Sequence, residues 1–168
     1  MKTMVIGYSG SGKSTLARFL SERQNAPVLY LDRVYWLPGW QKKPLAEQQT
    51  EVEAFLNENE NWVIDGNYTK VLWERRLQEA DRIILMDFGR WSCFFRAYRR
   101  YRTNRNRSRF SMTEGCDEKF DREFMRWILR DGRTDEVKER YRKLQQGFAE
   151  KVIVLHNQRE LDAFLNAQ

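Results

Sequence analysis

The sequence predicts an α/β fold, a parallel sheet covered on both faces by helices. Three observations predict it. Short apolar runs alternate almost throughout with longer stretches whose apolar residues recur every three or four positions. The first run leads through a glycine-rich loop, Gly7 to Ser14, directly into a helical stretch. Asp32, Asp65 and Asp87 each close an apolar run, on the sheet edge where open α/β folds bind ligands.

Met4 to Ile6 is the first strand, a continuous apolar run of the kind both covered faces of a parallel sheet require. Lys13 to Arg23 follows as a helix, with Leu16, Phe19 and Leu20 on one face. Pro27 to Leu31 is the second strand. Pro44 to Asn59, with Val52, Phe55 and Leu56, is the second helix. Trp62 to Ile64 is the third strand, Tyr68 to Ala80 a helix, and Arg82 to Met86 the fourth strand. Three long helical stretches come next, about Trp91 to Asn104, Asp117 to Arg130 and Thr134 to Phe148. Lys151 to Leu155 is the fifth strand and Glu160 to Leu165 the closing helix. No repeat, linker or low-complexity segment interrupts the pattern, so residues 1–168 read as one domain.

Composition narrows the class. A chain of 168 residues with 41% hydrophobic content and ten Phe, seven Tyr and six Trp is not disordered. Cys93 and Cys116 cannot build a disulfide framework or, by themselves, a zinc site, and they suit a reducing cytoplasm. No run approaches eighteen apolar residues and no signal-type h-region opens the chain, so neither a membrane span nor a secretory signal is expected. The net charge of +6 invites a nucleic-acid reading. Its distribution changes that. Eight arginines, with no lysine and no acid among them, stand between Arg90 and Arg109; the rest of the chain holds 22 basic against 24 acidic residues.

Gly7-Tyr8-Ser9-Gly10-Ser11-Gly12-Lys13-Ser14 satisfies G-x-x-x-x-G-K-[ST] in the strand-then-helix context the motif needs. Glycines admit backbone conformations that turn successive N–H groups inward around phosphate oxygens, and the following helix adds its positive end. Gly7, Ser9, Gly10, Ser11, Gly12, Lys13, Ser14 and Thr15 are therefore the expected ATP-binding residues. Lys13 would bridge the β- and γ-phosphates, and Ser14 would ligate Mg²⁺.

Asp65 has the form of a Walker B acid and joins Ser14 as the expected metal ligand. Asp32 is the candidate to orient or deprotonate an acceptor hydroxyl; a strand-end Asp is also an ordinary cap or turn residue. The arginine block admits three readings: a lid that clamps phosphates, a track for a nucleic-acid backbone, and a solvated helix face. Beside a P-loop the lid reading leads, over about residues 90–130, and we assign Arg99 and Arg102 to it as catalytic residues alongside Lys13, Asp32 and Asp65. Tyr35 to Trp40 is an aromatic turn, either lining an acceptor pocket or plugging the sheet end. His156, the single histidine, and Asn157 stand in a loop able to meet a base, although a lone His is more often structural.

The P-loop near the N-terminus, Leu31-Asp32, Trp40, Trp62-Val63-Ile64-Asp65-Gly66-Asn67-Tyr68 and Ala80-Asp81-Arg82-Ile83-Ile84 together resemble the bacterial "DNA topology modulation" proteins. Those are small adenylate-kinase-like P-loop proteins. The resemblance implies a three-layer α/β/α P-loop NTPase fold, a five-stranded parallel sheet of order 2-3-1-4-5 and an arginine-bearing helical lid. Adenylate kinases end the third strand in Asp-Gly-Phe-Pro-Arg, whose Arg contacts the monophosphate. Here Asp65 and Gly66 match that segment but the Arg is absent, which bears against AMP as acceptor.

The leading expectation is an ATP·Mg²⁺-dependent phosphotransferase acting on an unidentified small phosphate acceptor. The alternative is an ATP-binding regulatory protein that contacts DNA or RNA through the arginine block and influences DNA topology, although no standard DNA-reading module is present. A third reading is slow ATP hydrolysis without an acceptor.

Overall fold

The structure, a computed structural model, describes residues 1–105 and 107–167. Asn106, inside the arginine block, and Gln168 lie outside the described residues. The chain runs β1 (Lys2–Gly7), α1 (Lys13–Gln24), β2 (Val28–Tyr30), α2 (Leu31–Tyr35), β3 (Trp36–Leu37), β4 (Gln41–Lys42), α3 (Leu45–Glu58) and β5 (Trp62–Asp65). It continues with α4 (Trp73–Glu79), β6 (Arg82–Met86), α5 (Arg90–Thr103), α6 (Arg122–Leu129), α7 (Asp135–Gly147), β7 (Val152–Leu155) and α8 (Gln158–Asn166).

Five strands form one parallel sheet in the order β2-β5-β1-β6-β7. Numbered among themselves along the chain these are 2-3-1-4-5, the expected arrangement. Met4, Val5 and Ile6 of β1, Trp62 to Ile64 of β5 and Ile83 to Met86 of β6 are fully buried. Successive strand residues point to opposite faces, so both faces are covered, and this is why the runs are continuously apolar. Leu16, Ala17 and Leu20 bury the inner face of α1, which packs over β1, β2 and β5. No helix among the described residues is long and apolar enough to cross a membrane.

Three expectations need correcting. The helix expected over Tyr68 to Ala80 is only Trp73–Glu79, because residues 66–72 form a loop whose carbonyls are taken up by a buried side chain. The helix expected from Asp117 begins at Arg122; Asp121 caps it, its carboxylate accepting from the Phe124 N–H at 2.8 Å. The aromatic turn is not plain loop. Leu31–Tyr35 is helical, and Trp36–Leu37 pairs antiparallel with Gln41–Lys42 around a tight turn in which Gly39 and Trp40 take positive φ (74° and 63°).

The region expected as a helical lid is a helix, an irregular return whose described residues are 104–105 and 107–121, and a second helix. The return packs on the aromatic hairpin. Thr113 Oγ1 donates to the Trp36 carbonyl at 2.6 Å, and the Gly39 N–H to the Gly115 carbonyl at 3.1 Å.

Candidate active site

Sheet register brings the predicted residues to one edge. Tyr30 of β2 and Val5 of β1 both pair with Asp65 at the end of β5, so Asp32, Asp65 and the loop after Gly7 emerge side by side. Gly7, Gly10 and Gly12 hold φ of 137°, 82° and 103°, conformations that L side chains rarely adopt. A Cβ on Gly7 would run into the Met86 carbonyl, and one on Gly10 into the Cys93 carbonyl. The loop is a cradle that only glycine at these positions permits.

Ser14 Oγ donates to Asp65 Oδ2 at 2.6 Å, and Lys13 Nζ to the Tyr8 carbonyl at 2.9 Å. Asp65 is 4% exposed, and burial pushes its carboxyl up to about 6, against the pull of Lys13 and the Ser14 hydrogen bond. Desolvation lowers the Lys13 ammonium, while Asp65 and then Asp32 favour its charged form. Asp65 Oδ1 and Ser11 Oγ are buried without a hydrogen-bond partner among the described residues. A glycine cradle, a desolvated ammonium, a hydroxyl and a carboxylate with a spare oxygen fit a magnesium-bound polyphosphate. Among the described residues no group of three or more His, Cys, Asp or Glu could hold a metal, so a cation here would need phosphate oxygens or water to complete its shell.

Asp32 faces this cluster with both oxygens engaged. Tyr68 Oη donates to Oδ1 and Arg109 Nη2 to Oδ2, each at 2.6 Å. Arg109 also lies 3.4 Å from Glu118, whose other cationic neighbour is Arg100 at 3.1 Å. Arginines of the predicted lid therefore do reach the sheet edge, but not those expected. Arg99 and Arg102 are exposed on α5, while Arg96 and Arg100 lie on the inner face with buried Cys93 and Ala97. The helical period of 3.6 explains the split. Arg96 sits against the P-loop, its guanidinium 3.0 Å from where a Gly12 Cβ would stand. Ser9, Gly10 and Ser11 line the cradle; Thr15, the last predicted ligand, is exposed on α1.

The fold is shared with several solved structures. The M. mycoides deoxyadenosine kinase solved with dCMP and dCDP matches with a TM-score of 0.52 at 14% identity, over 99% of this chain and 98% of that one. Shikimate kinase from Bacteroides thetaiotaomicron gives 0.50 at 15% identity, over 99% and 95%. A gluconokinase from Sinorhizobium meliloti 1021 gives 0.55 at 13%, over 99% and 91%. The fold is that of the P-loop kinases. No family model matches the sequence. An uncharacterised Bacillus subtilis (strain 168) protein, YqaC, is 38% identical over 63 residues, 37% of this chain and 35% of the relative's length.

Within this P-loop kinase fold several side chains reach the site that the sequence did not single out. Asn67 pairs with Gly7 in both directions, its Oδ1 accepting from the Gly7 N–H and its Nδ2 donating to the Gly7 carbonyl, both at 3.0 Å. The Asp65-Gly66-Asn67 segment is thereby stitched to the P-loop. Arg76, fully buried, donates to the carbonyls of Gly66, Asn67, Tyr68 and Val71, and so shapes the loop that carries Asn67 and Tyr68; burial lowers it to about 10. Arg133 lies 3.7 Å over the Tyr8 ring and donates to the Phe88 carbonyl at 2.9 Å. Trp127 Nε1 donates to Ser9 Oγ at 3.1 Å.

Helical spacing could have separated Arg96 from Arg99. No local signal marks Asn67, whose partner is 60 residues away. His156 and Asn157 serve α8 here: Asn157 Oδ1 caps it from the Glu160 N–H at 3.0 Å, and His156 Nδ1 lies 2.9 Å from Glu160. A cavity of about 920 Å³, lined by Arg33, Arg109, Phe110 and Thr113 among others, opens beside the Arg109 end of the site rather than over the P-loop.

Proposed function

We propose that the chain is an ATP·Mg²⁺-dependent phosphotransferase of the small-molecule kinase type, with its acceptor beside Asp32. The observation that carries this reading is the aim of Asp32. Its carboxylate is fixed by Tyr68 and Arg109 and acts on Lys13 together with Asp65. A carboxylate held there can orient an attacking hydroxyl, and the acceptor-free control below separates an acceptor's hydroxyl from water.

Gly7 and Ser9 to Thr15 bind the triphosphate, Lys13 bears on the β- and γ-phosphates, and Ser14 with Asp65 holds Mg²⁺. The metal, when bound, neutralises charge on the phosphate oxygens. An acceptor hydroxyl donating to Asp32 replaces one of its present donors and is thereby oriented; its proton passes to Asp32 as its oxygen bonds to the γ-phosphorus, the bond from that phosphorus to the β,γ-bridging oxygen breaks, and ADP leaves with the electron pair. Positioning and charge do the rest, with no covalent enzyme intermediate. The phosphate-clamping role expected of Arg99 and Arg102 passes to Arg96 and Arg133 at the P-loop and Arg109 at the acceptor side. The resemblance to the bacterial DNA topology modulation proteins, and a cytoplasmic setting with two free thiols, belong to the same proposal.

The test is a screen of nucleoside monophosphates, nucleosides and small hydroxylated metabolites with labelled ATP and an acceptor-free control. Transfer to one acceptor class is expected. In Lys13→Ala, turnover should fall about 100-fold or more, with circular dichroism checking that the variant is still folded. Unchanged turnover in that variant rules out phosphotransfer at this loop.

A further inference from the structure

The helical period divides the arginine block in two. With Arg96 and Arg100 turned inward, Trp91, Phe95, Tyr98, Arg99 and Arg102 fall within an arc of about 100° on the other face of α5. All five are exposed, the three aromatics to 60%, 63% and 44%. Arg90, Arg105 and Arg107 are exposed as well.

Two features separate this face from an ordinary solvated one. Several exposed arginines elsewhere meet a carboxylate, as Arg142 meets Glu139 and Arg126 meets Asp131, both at 2.7 Å, and those that have no ion pair among the described residues, such as Arg122 and Arg159, are not gathered on one helix face with exposed rings. No ion pair among the described residues engages Arg90, Arg99, Arg102, Arg105 or Arg107, and the sequence offers no acid between Arg90 and Arg109. The second feature is the rings. Trp91 and Phe95 lie 6.4 Å apart with planes 32° from parallel, forming a ledge, and Phe120 holds the Tyr98 ring in place at 5.3 Å.

We propose that this face of α5 docks single-stranded nucleic acid, its bases stacking on Trp91, Phe95 and Tyr98 and its phosphates meeting Arg99 and Arg102. Charge selects the occupant. A second copy in a two-fold contact would set unpaired arginines against arginines, and an anionic membrane is matched by a helix with its apolar and basic residues on opposite faces rather than on one. A single strand presents anions and open π-faces together. A duplex keeps its bases stacked and offers the rings nothing.

The test is fluorescence anisotropy of a labelled oligothymidylate against the full chain over rising salt. Binding is expected to weaken with salt, the logarithmic slope growing by about 0.7 per phosphate neutralised. Phe95→Ala with Tyr98→Ala should lower affinity roughly 10- to 100-fold at unchanged slope. Arg99→Gln with Arg102→Gln should flatten the slope by about 1.4. Thermal melting checks that these exposed variants stay folded, and Lys13→Ala, at the separate nucleotide loop, should bind the oligonucleotide as the parent does. Absence of binding at low salt overturns the proposal, as does affinity indifferent to the aromatic pair or tighter binding to the matching duplex. Capture by phosphatidylserine vesicles without oligonucleotide binding would assign the face to membrane. A dimer dispersed by the aromatic substitutions would assign it to a second copy.

Discussion

Removing the Ser14 hydroxyl isolates the contact on which the proposed metal site rests. Asp65 is buried, Oδ1 has no partner among the described residues, and Oδ2 accepts from Ser14 Oγ at 2.6 Å. Ser14→Ala therefore leaves a buried carboxylate without its side-chain donor. A hydrogen bond to a charged group contributes about 1.5–3 kcal/mol, and loss of its donor exposes the desolvation cost of the acceptor. For a chain of this size that is a fall in melting temperature of roughly 3–12 °C at neutral pH.

The carboxyl is already raised to about 6 by burial, so ionising it costs stability as pH rises through that value. Without the hydroxyl it rises further. The penalty should accordingly be present at pH 8 and largely gone at pH 4.5, where Asp65 carries its proton. The assay is a double-mutant cycle with Asp65→Asn, read by urea unfolding at both pH values. A coupling of about 1.5–3 kcal/mol at pH 8 is expected. A coupling below about 0.5 kcal/mol, or one that persists undiminished at pH 4.5, would refute the reasoning.

The remaining predictions concern the frame around that contact. Gly10→Ala forces a Cβ onto the Cys93 carbonyl at φ 82° and should reduce ATP affinity by more than tenfold, measured by calorimetry, while costing about 1–2 kcal/mol or more in stability. Arg76→Met strips four backbone carbonyls of their donor and should destabilise the fold by about 3–5 kcal/mol, seen as a shifted urea midpoint. ATP affinity in the presence of Mg²⁺ should fall up to tenfold per pH unit below about 6, as Asp65 protonates, and Asp65→Asn should abolish that dependence.

Much of this was legible in order and chemistry alone. Alternating periods gave the five strands, because a strand buried on both faces must be continuously apolar, as Ile83 to Met86 is. The glycine spacing located the tight loop after β1, because a backbone turning its N–H groups inward needs φ values that only glycine adopts freely. The stretch 68–72 has a helical pattern in sequence but is loop, because its order comes from the buried Arg76 side chain, which takes up the carbonyls of Tyr68 and Val71 and for which a periodicity of apolar residues gives no sign.

The sequence by itself determined the sheet, the P-loop and the carboxylates at the strand ends, since these follow from local periodicity and short-range backbone conformation. Tertiary structure alone decided what each charge touches. It turned Arg96 and Arg109 to the site and left Arg99 and Arg102 in solvent, joined Asn67 to Gly7, and set Tyr68 and Arg109 on Asp32. The physical reason is that a charge acts through distance and desolvation, and both are fixed only when segments far apart in the chain are packed together.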